Sequence, residues 1–271
     1  MPSPLACMRI GLLVATEAAA ARGAWKGTHV GICVRGYHSW LILPAIYPIL
    51  DTALLARLNL TVIDAAEALV EGGARILQLR HKDNWTHEVY HTATELASFL
   101  RAAGVEFVIN DRADIAKMLG AGLHVGQEDL PVKDARAILS REGGTEAPRK
   151  LKLAPLRAAI LGLSTHNEKQ LRAAAGEPAD YLALGPIFGT ASKANPDPII
   201  GVAELARLRP LTSKPLVAIG GIRLETAGSV WRAGADSIAL IGDLFPASGK
   251  AAVRARMEAW VNQATMEKSL N

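Results

Sequence analysis

The sequence predicts an α/β protein of one main domain, a (β/α)8 barrel, and three observations lead there. Eight short apolar runs recur from Leu41 onward, stretches with helical spacing lie between most of them, and seven of the eight runs end in polar or glycine-rich sequence. A continuous apolar run without alternation is the signature of a strand buried on both faces. Strands alternating with helices build βαβ units in a parallel sheet. Eight such units in about 225 residues fall within the usual size of the barrel. An open doubly wound sheet is the alternative, but it would more often carry a glycine fingerprint after its first strand, and none follows Leu50.

The elements follow in order. AIYPIL (45–50) is the first strand and ARILQL (74–79) the second, which ends in the dense polar cluster Gln78, Arg80, His81, Lys82 and Asp83. HEVYHTATELASFLRAAG (87–104) has helical spacing and leads to VEFVI (105–109), which is followed by Asn110-Asp111-Arg112. GLHV (122–125) is the fourth strand, with Gly126-Gln127-Glu128-Asp129 after it. The connection 140–157 is rich in Gly, Pro and Lys and reads as a long loop before AAILGL (158–163), which ends in Ser164-Thr165-His166-Asn167. DYLAL (180–184) opens into a loop from Gly185 to Lys193. PLVAI (215–219) ends in Gly220-Gly221 before the helical RLETAGSVWRAGA (223–235), and SIALI (237–241) ends in Gly242-Asp243.

Residues 1–40 are expected to be a poorly ordered extension, with Met8 as an alternative start, and 41–265 the barrel domain. Half of the 271 residues are hydrophobic and only 5% aromatic, a composition suited to helices packed on buried strands. Four of the cations, Arg9, Arg22, Lys26 and Arg35, against the single acid Glu17, put +3 of the net +4 into the first forty residues. The barrel region is thus nearly neutral and has no basic stripe, which argues against nucleic acid as a partner. Cys7 and Cys33 match no metal spacing, and a reduced cytoplasmic setting fits them. WLILPAIYPIL is too short to span a bilayer, so no membrane partner is expected, and the sequence leaves the oligomeric state open.

In a barrel every strand ends at the same rim, where active sites are built. Asp111 and Asp129 end neighbouring strands about 4.8 Å apart, so the pair could bind one hard cation such as Mg²⁺. The competing reading is that each caps a helix, Asp111 the one starting near Ala113. Arg80, Lys82 and Lys193 bring cations suited to phosphate oxygens, against the plain alternative of solvated surface charge. Gly220-Gly221 and Ile241-Gly242, after strands seven and eight, match the phosphate cradle common in this fold, although glycines also mark ordinary turns. His124 reads as a barrel-filling or supporting group. His166 could orient a phosphate or shuttle a proton, and Ser164 and Thr165 could cap a helix. Two anionic sites at one rim, one of them for a metal-bound pyrophosphate, indicate a transferase.

At this point the motifs QLRHK (78–82), INDRADIA (109–116), GLHVGQEDLP (122–131), GLSTH (162–166), GPIFGTASK (185–193) and VAIGGI (217–222) resemble, in order, those of the thiamine-phosphate synthase family. The resemblance spans Ile46 to Phe245. It implies coupling of a pyrimidine methyl diphosphate to a thiazole phosphate, with Mg²⁺ as cofactor, to give thiamine monophosphate and pyrophosphate. It further implies that Gln78, Leu79, Arg80, His81, Lys82, Asn110, Ser164 and Lys193 form the pyrimidine diphosphate site, although alternation turns His81 away from Arg80 and Lys82. Arg80, Lys82, Ser164 and Lys193 are the implied catalytic groups. Asp111 and Asp129 are the implied metal ligands, and Thr190, Ala191, Ser192, Gly221, Ile241 and Gly242 the thiazole phosphate site. Three positions depart from the family pattern: His81 replaces Glu, Ser192 replaces Thr, and Gly242 replaces Ser. A TenI-like thiazole tautomerase and a non-catalytic phosphate-ligand barrel are the rival readings. The two carboxylates and the Gln78-Arg80-Lys82 set weigh against the first, and the second would be expected to lose the carboxylates while keeping the phosphate glycines.

Overall fold

The computed structural model describes residues 42–140, 159–190, 197–246 and 249–269. The expected extension 1–40 and all but the first residue of the connection 140–157 lie outside them. Eight strands occur where the apolar runs predict them: β1 (Ile46–Asp51), β2 (Ile76–Arg80), β3 (Glu106–Asn110), β4 (Gly122–Val125), β5 (Leu161–Thr165), β6 (Tyr181–Leu184), β7 (Leu216–Ile219) and β8 (Ser237–Leu240). Each pairs in parallel with the next in sequence, and β8 pairs with β1, closing the barrel. The helices are α1 (Thr52–Arg57), α2 (Val62–Glu71), α3 (His87–Ala102), α4 (Ala113–Leu119), α5 (Val132–Ser140), α6 (Glu168–Ala175), α7 (Val202–Leu208), α8 (Leu224–Arg232) and α9 (Lys250–Ser269). The chain is a (β/α)8 barrel, with an additional helix, α1, directly after β1.

Burial on both strand faces makes two apolar layers. Leu77, Leu79, Ile109, Leu123, Leu163 and Leu184 belong to the larger one, together with buried residues of the surrounding helices such as Leu69, Leu96 and Leu100. The smaller one fills the barrel and includes Tyr47, Ile49, Ile76, Val108, Tyr181, Ala183, Val217 and Ala239. Gly162 on β5 is what lets two large rings share that interior. A Cβ there would sit 2.1 Å from Tyr181 Cζ and 2.5 Å from His124 Nδ1, closer than any real contact.

The C-terminal helix is tied to the same rim. Asp243, just past β8, accepts two bonds from Arg256 Nη2 (2.8 and 2.9 Å) and one from Trp260 Nε1 (2.8 Å). Trp260 is wholly buried and meets Trp231 of α8 edge to face at 6.2 Å. On the other side α9 lies close against α2, where a Cβ on Gly72 would come 2.7 Å from Met257 Cβ. No helix among the described residues is long and apolar enough to cross a membrane.

Candidate active site

The strand ends enclose a cleft of about 1100 Å³. Gln78, Arg80, Lys82, Asn110, Asp111, Asp129, Ser164, Thr190, Gly221, Ile241 and Gly242 all line it, so residues 164 positions apart in sequence share one mouth. Leu79 is buried in the opposite layer, as the alternation of a strand requires. His81 points aside: its Nδ1 is 2.8 Å from Thr52 Oγ1, its Nε2 is 3.2 Å from the Asn84 carbonyl, and its ring meets Trp85 edge-on. Ala191, Ser192 and Lys193 lie outside the described residues.

One half of the mouth holds acids against cations. Lys82 Nζ donates to Asp111 Oδ2 at 2.5 Å, and Arg80 donates to Asp51. Asp51 also caps α1, its Oδ1 accepting from the Leu54 amide at 2.9 Å. Asp111 has φ +64, a left-handed backbone that Asp tolerates better than most residues, and its amide donates to the His124 carbonyl at 2.8 Å. Its carboxyl is pushed above the usual range, first by burial and then by a side-chain hydrogen bond to Asp129, against the opposing pull of Lys82. Asp129 Oδ2 closes its own loop by accepting from the Gly126 amide at 2.7 Å. The capping alternative for Asp111 fails, because Arg112 is the cap residue of α4 and no side chain caps that helix. Asn110 is buried, and its Nδ2 has no partner among the described residues although the residue lines the cleft. An unpartnered buried donor at a site wall is poised for an acceptor brought by a ligand.

The floor is polar in an otherwise apolar interior. Gln78, Tyr47, Tyr181, His124 and Ser164 touch in succession, and the His124 and Tyr181 rings stack at 5.6 Å. Burial is the largest influence on His124 and pushes its imidazole down to about 4, so the ring is neutral at ordinary pH. Ser164 therefore belongs to this interior string and not to a helix cap; Asn167 caps α6 instead. Thr165 is likewise turned away, donating to the Ala183 carbonyl at 2.8 Å.

The other half is built of close backbone. The loop after β6 docks on β7 through Ile187 N to Ile219 O and Phe188 N to Gly220 O, both 2.9 Å. Gly221, at φ +62, has no room for a side chain, since a Cβ would meet Gly189 O at 2.2 Å. Gly242 differs: a Cβ there would meet nothing within 4 Å, so no steric need explains the glycine. His166 donates from Nδ1 to the Gly185 carbonyl at 2.7 Å, because a carbonyl only accepts.

Sequence reasoning missed Asp51, Tyr47, Tyr181 and Gln127. Asp51 carried a usable signal, a carboxylate directly after the first apolar run. The two tyrosines sit inside apolar runs and read as plain core, while Gln127 gives no sign that its Nε2 will hold the Ser164 carbonyl at 2.6 Å.

A mouth lined by paired carboxylates, cations, an unused amide donor and a glycine-built wall, at the carboxyl ends of barrel strands, defines a barrel enzyme acting on small phosphorylated molecules. The family model for thiamine monophosphate synthase matches residues 46–244. The thiamine-phosphate synthase of Koribacter versatilis (strain Ellin345) is 43% identical over 210 residues, covering 76% of this chain and 92% of its own. That of Laribacter hongkongensis (strain HLHK9) is 37% identical over 210 residues, covering 77% and 91%. A solved thiamine phosphate pyrophosphorylase from Pyrococcus furiosus superposes with a TM-score of 0.66 at 29% identity, over 82% of this chain and 96% of that one. The chain belongs to the thiamine monophosphate synthase family. Thiamine-phosphate synthase function and the transferase class follow from that membership.

Proposed function

We propose that this chain joins 4-amino-2-methyl-5-hydroxymethylpyrimidine diphosphate to hydroxyethylthiazole phosphate, releasing pyrophosphate and forming thiamine monophosphate. The observation that carries the reading is the convergence of Lys82, Asp111 and Asp129 with Asn110 and Ser164 on one cleft wall, facing the backbone-built wall of Gly221 and Gly242. One wall suits a metal-bound diphosphate and the other a monophosphate, so two phosphorylated molecules can meet between them.

Asp111 and Asp129 would hold Mg²⁺. Asp129 raises the proton affinity of the Asp111 carboxyl, a repulsion that a divalent cation held by the two residues would relieve, and oxygen donors suit Mg²⁺. Among the described residues no group of three or more His, Cys, Asp and Glu gathers that could hold a metal, so water and substrate phosphate would complete the coordination, the usual habit of this ion. When bound, the ion supplies positive charge to the departing diphosphate.

Departure of pyrophosphate comes first in this scheme, leaving a carbocation stabilised by the pyrimidine, which the thiazole nitrogen then captures. Arg80, Lys82 and Lys193 stabilise charge developing on the leaving oxygens. Asn110 Nδ2 and the Ser164 hydroxyl donate to the same group, while Gln78 holds the pyrimidine. Thr190, Ala191, Ser192, Gly221, Ile241 and Gly242 receive the thiazole phosphate. Such a reaction needs no strong general base, which fits a floor whose histidine is buried and neutral.

The decisive experiment supplies both phosphorylated precursors to purified protein, with and without Mg²⁺, and follows thiamine monophosphate by mass spectrometry. Product that requires Mg²⁺ supports the scheme. No product in the presence of Mg²⁺ would end it, and an equal rate after exhaustive chelation would remove the metal from it.

A further inference from the structure

The polar string on the cleft floor has a direction. Gln78 Nε2 donates to the Tyr47 hydroxyl at 3.2 Å, and the Tyr47 and Tyr181 hydroxyls are 2.7 Å apart. The Tyr181 hydroxyl is 3.0 Å from His124 Nδ1, and His124 Nε2 is 2.9 Å from Ser164 Oγ. Five strands contribute, one residue each, and the two tyrosines are at most 1% exposed. Water has little access to these groups, so each must satisfy its protons and lone pairs on its neighbours.

Counting protons fixes the order. An amide nitrogen only donates, so the Tyr47 oxygen accepts there, and its single proton is left for Tyr181. Tyr181 then passes its own proton toward His124 Nδ1, which must be bare to accept it. A neutral imidazole with a bare Nδ1 carries its proton on Nε2, and that proton points at Ser164. Ser164 Oγ is filled as an acceptor from below, which frees its proton to turn into the cleft. No link can reverse unless all of them do.

We propose that Gln78, Tyr47, Tyr181 and His124 form a one-way hydrogen-bond chain that sets Ser164 as a hydrogen-bond donor toward an anionic leaving group, with Tyr47, Tyr181 and His124 as positioning residues. The role given to Ser164 rests on the diphosphate-transfer reading; the direction of the chain does not. Gly162 leaves the space for the Tyr181 and His124 rings, and Gln127 anchors the Ser164 carbonyl, so the backbone is shaped around the same string.

The test reads the tautomer directly. In ¹⁵N-labelled protein at pH 8, long-range nitrogen–proton correlation distinguishes the ring nitrogens of the seven histidines, and His124 is identified by its contact with the Tyr181 ring. A proton on Nε2 with Nδ1 bare is expected. In Gln78→Glu a side chain shown to be ionised by its carboxyl ¹³C shift only accepts, so Tyr47 donates to it and the proton should move to Nδ1. A wild-type Nδ1–H tautomer, or no change in Gln78→Glu with its carboxylate ionised, overturns the chain. A kinetic arm tests the consequence: Tyr181→Phe breaks the string, and kcat should fall about tenfold or more with the KM for the pyrimidine diphosphate nearly unchanged. A wild-type kcat in Tyr181→Phe overturns the positioning role. Wild-type protein that forms no thiamine monophosphate would instead sink the transfer reading and leave the tautomer result standing.

Discussion

Burying a histidine without its charge makes stability depend on pH, and His124 allows the size of that effect to be worked out. Its ordinary value is 6.5 and burial holds it at about 4 in the folded chain. At ~1.36 kcal/mol per pH unit the gap corresponds to roughly 3 kcal/mol. Above pH 6.5 the ring is neutral whether folded or unfolded, and its contribution is fully present. As pH falls through 6.5 the unfolded chain takes up a proton that the folded chain refuses, so stability declines until the folded ring also titrates near 4. Asp111 works the other way, because its raised folded value adds stability as pH falls, but it is common to wild type and to a His124 variant. Urea unfolding of wild type and His124→Gln at pH 7.5 and pH 4.5 isolates the histidine. Wild type should lose about 2–3 kcal/mol more than the variant between those two pH values. Parallel losses in the two proteins would refute the claim that the ring is buried and neutral.

Further outcomes follow from the same geometry. Gly162→Ala drives a methyl into Tyr181 and His124, so a destabilisation of about 1–3 kcal/mol is expected in denaturant titration; a variant as stable as wild type would contradict the tight interior. Asp111→Asn keeps a residue type that tolerates its positive φ, so the fold should survive while coupling falls at least a hundredfold, about 2.7 kcal/mol in the barrier; product formed at the wild-type rate with Mg²⁺ would end the metal assignment. Gly242→Ser enters open space and adds a hydroxyl beside the proposed thiazole phosphate, so the KM for that substrate should drop up to about tenfold, and an unchanged or higher KM counts against the site. Asp243→Asn leaves Arg256 without its full counter-charge at a partly exposed site, and a loss of about 2 kcal/mol should appear in thermal melts; no loss would mean that the α9 anchor lies elsewhere.

The eight strands and the rim were legible because they are local properties. An apolar run of four to six residues states that a strand is buried on both faces, and the polar groups after it mark the end that faces solvent. Asn110, Asp111, Asp129 and Ser164 could be placed at the rim from that pattern, since a closed parallel barrel sends every such end to one side, whereas substrate roles for Asn110 and Ser164 came only from the family resemblance. Which side chains face each other was not legible. Tyr47 and Tyr181 are 134 residues apart and meet only because β1 and β6 curve around the same interior, and Arg80 finds Asp51 through the pairing of β2 with β1. The glycines divide along the same line. As sequence, Gly162, Gly221 and Gly242 are equal, yet rings crowd the first, a neighbouring loop presses on the second and nothing approaches the third. Sequence by itself determined where the strands run and which groups they carry to the rim, because burial and chain direction are written residue by residue. Register and closure of the sheet decided who pairs with whom, because those contacts exist only after distant strands have packed at fixed offsets.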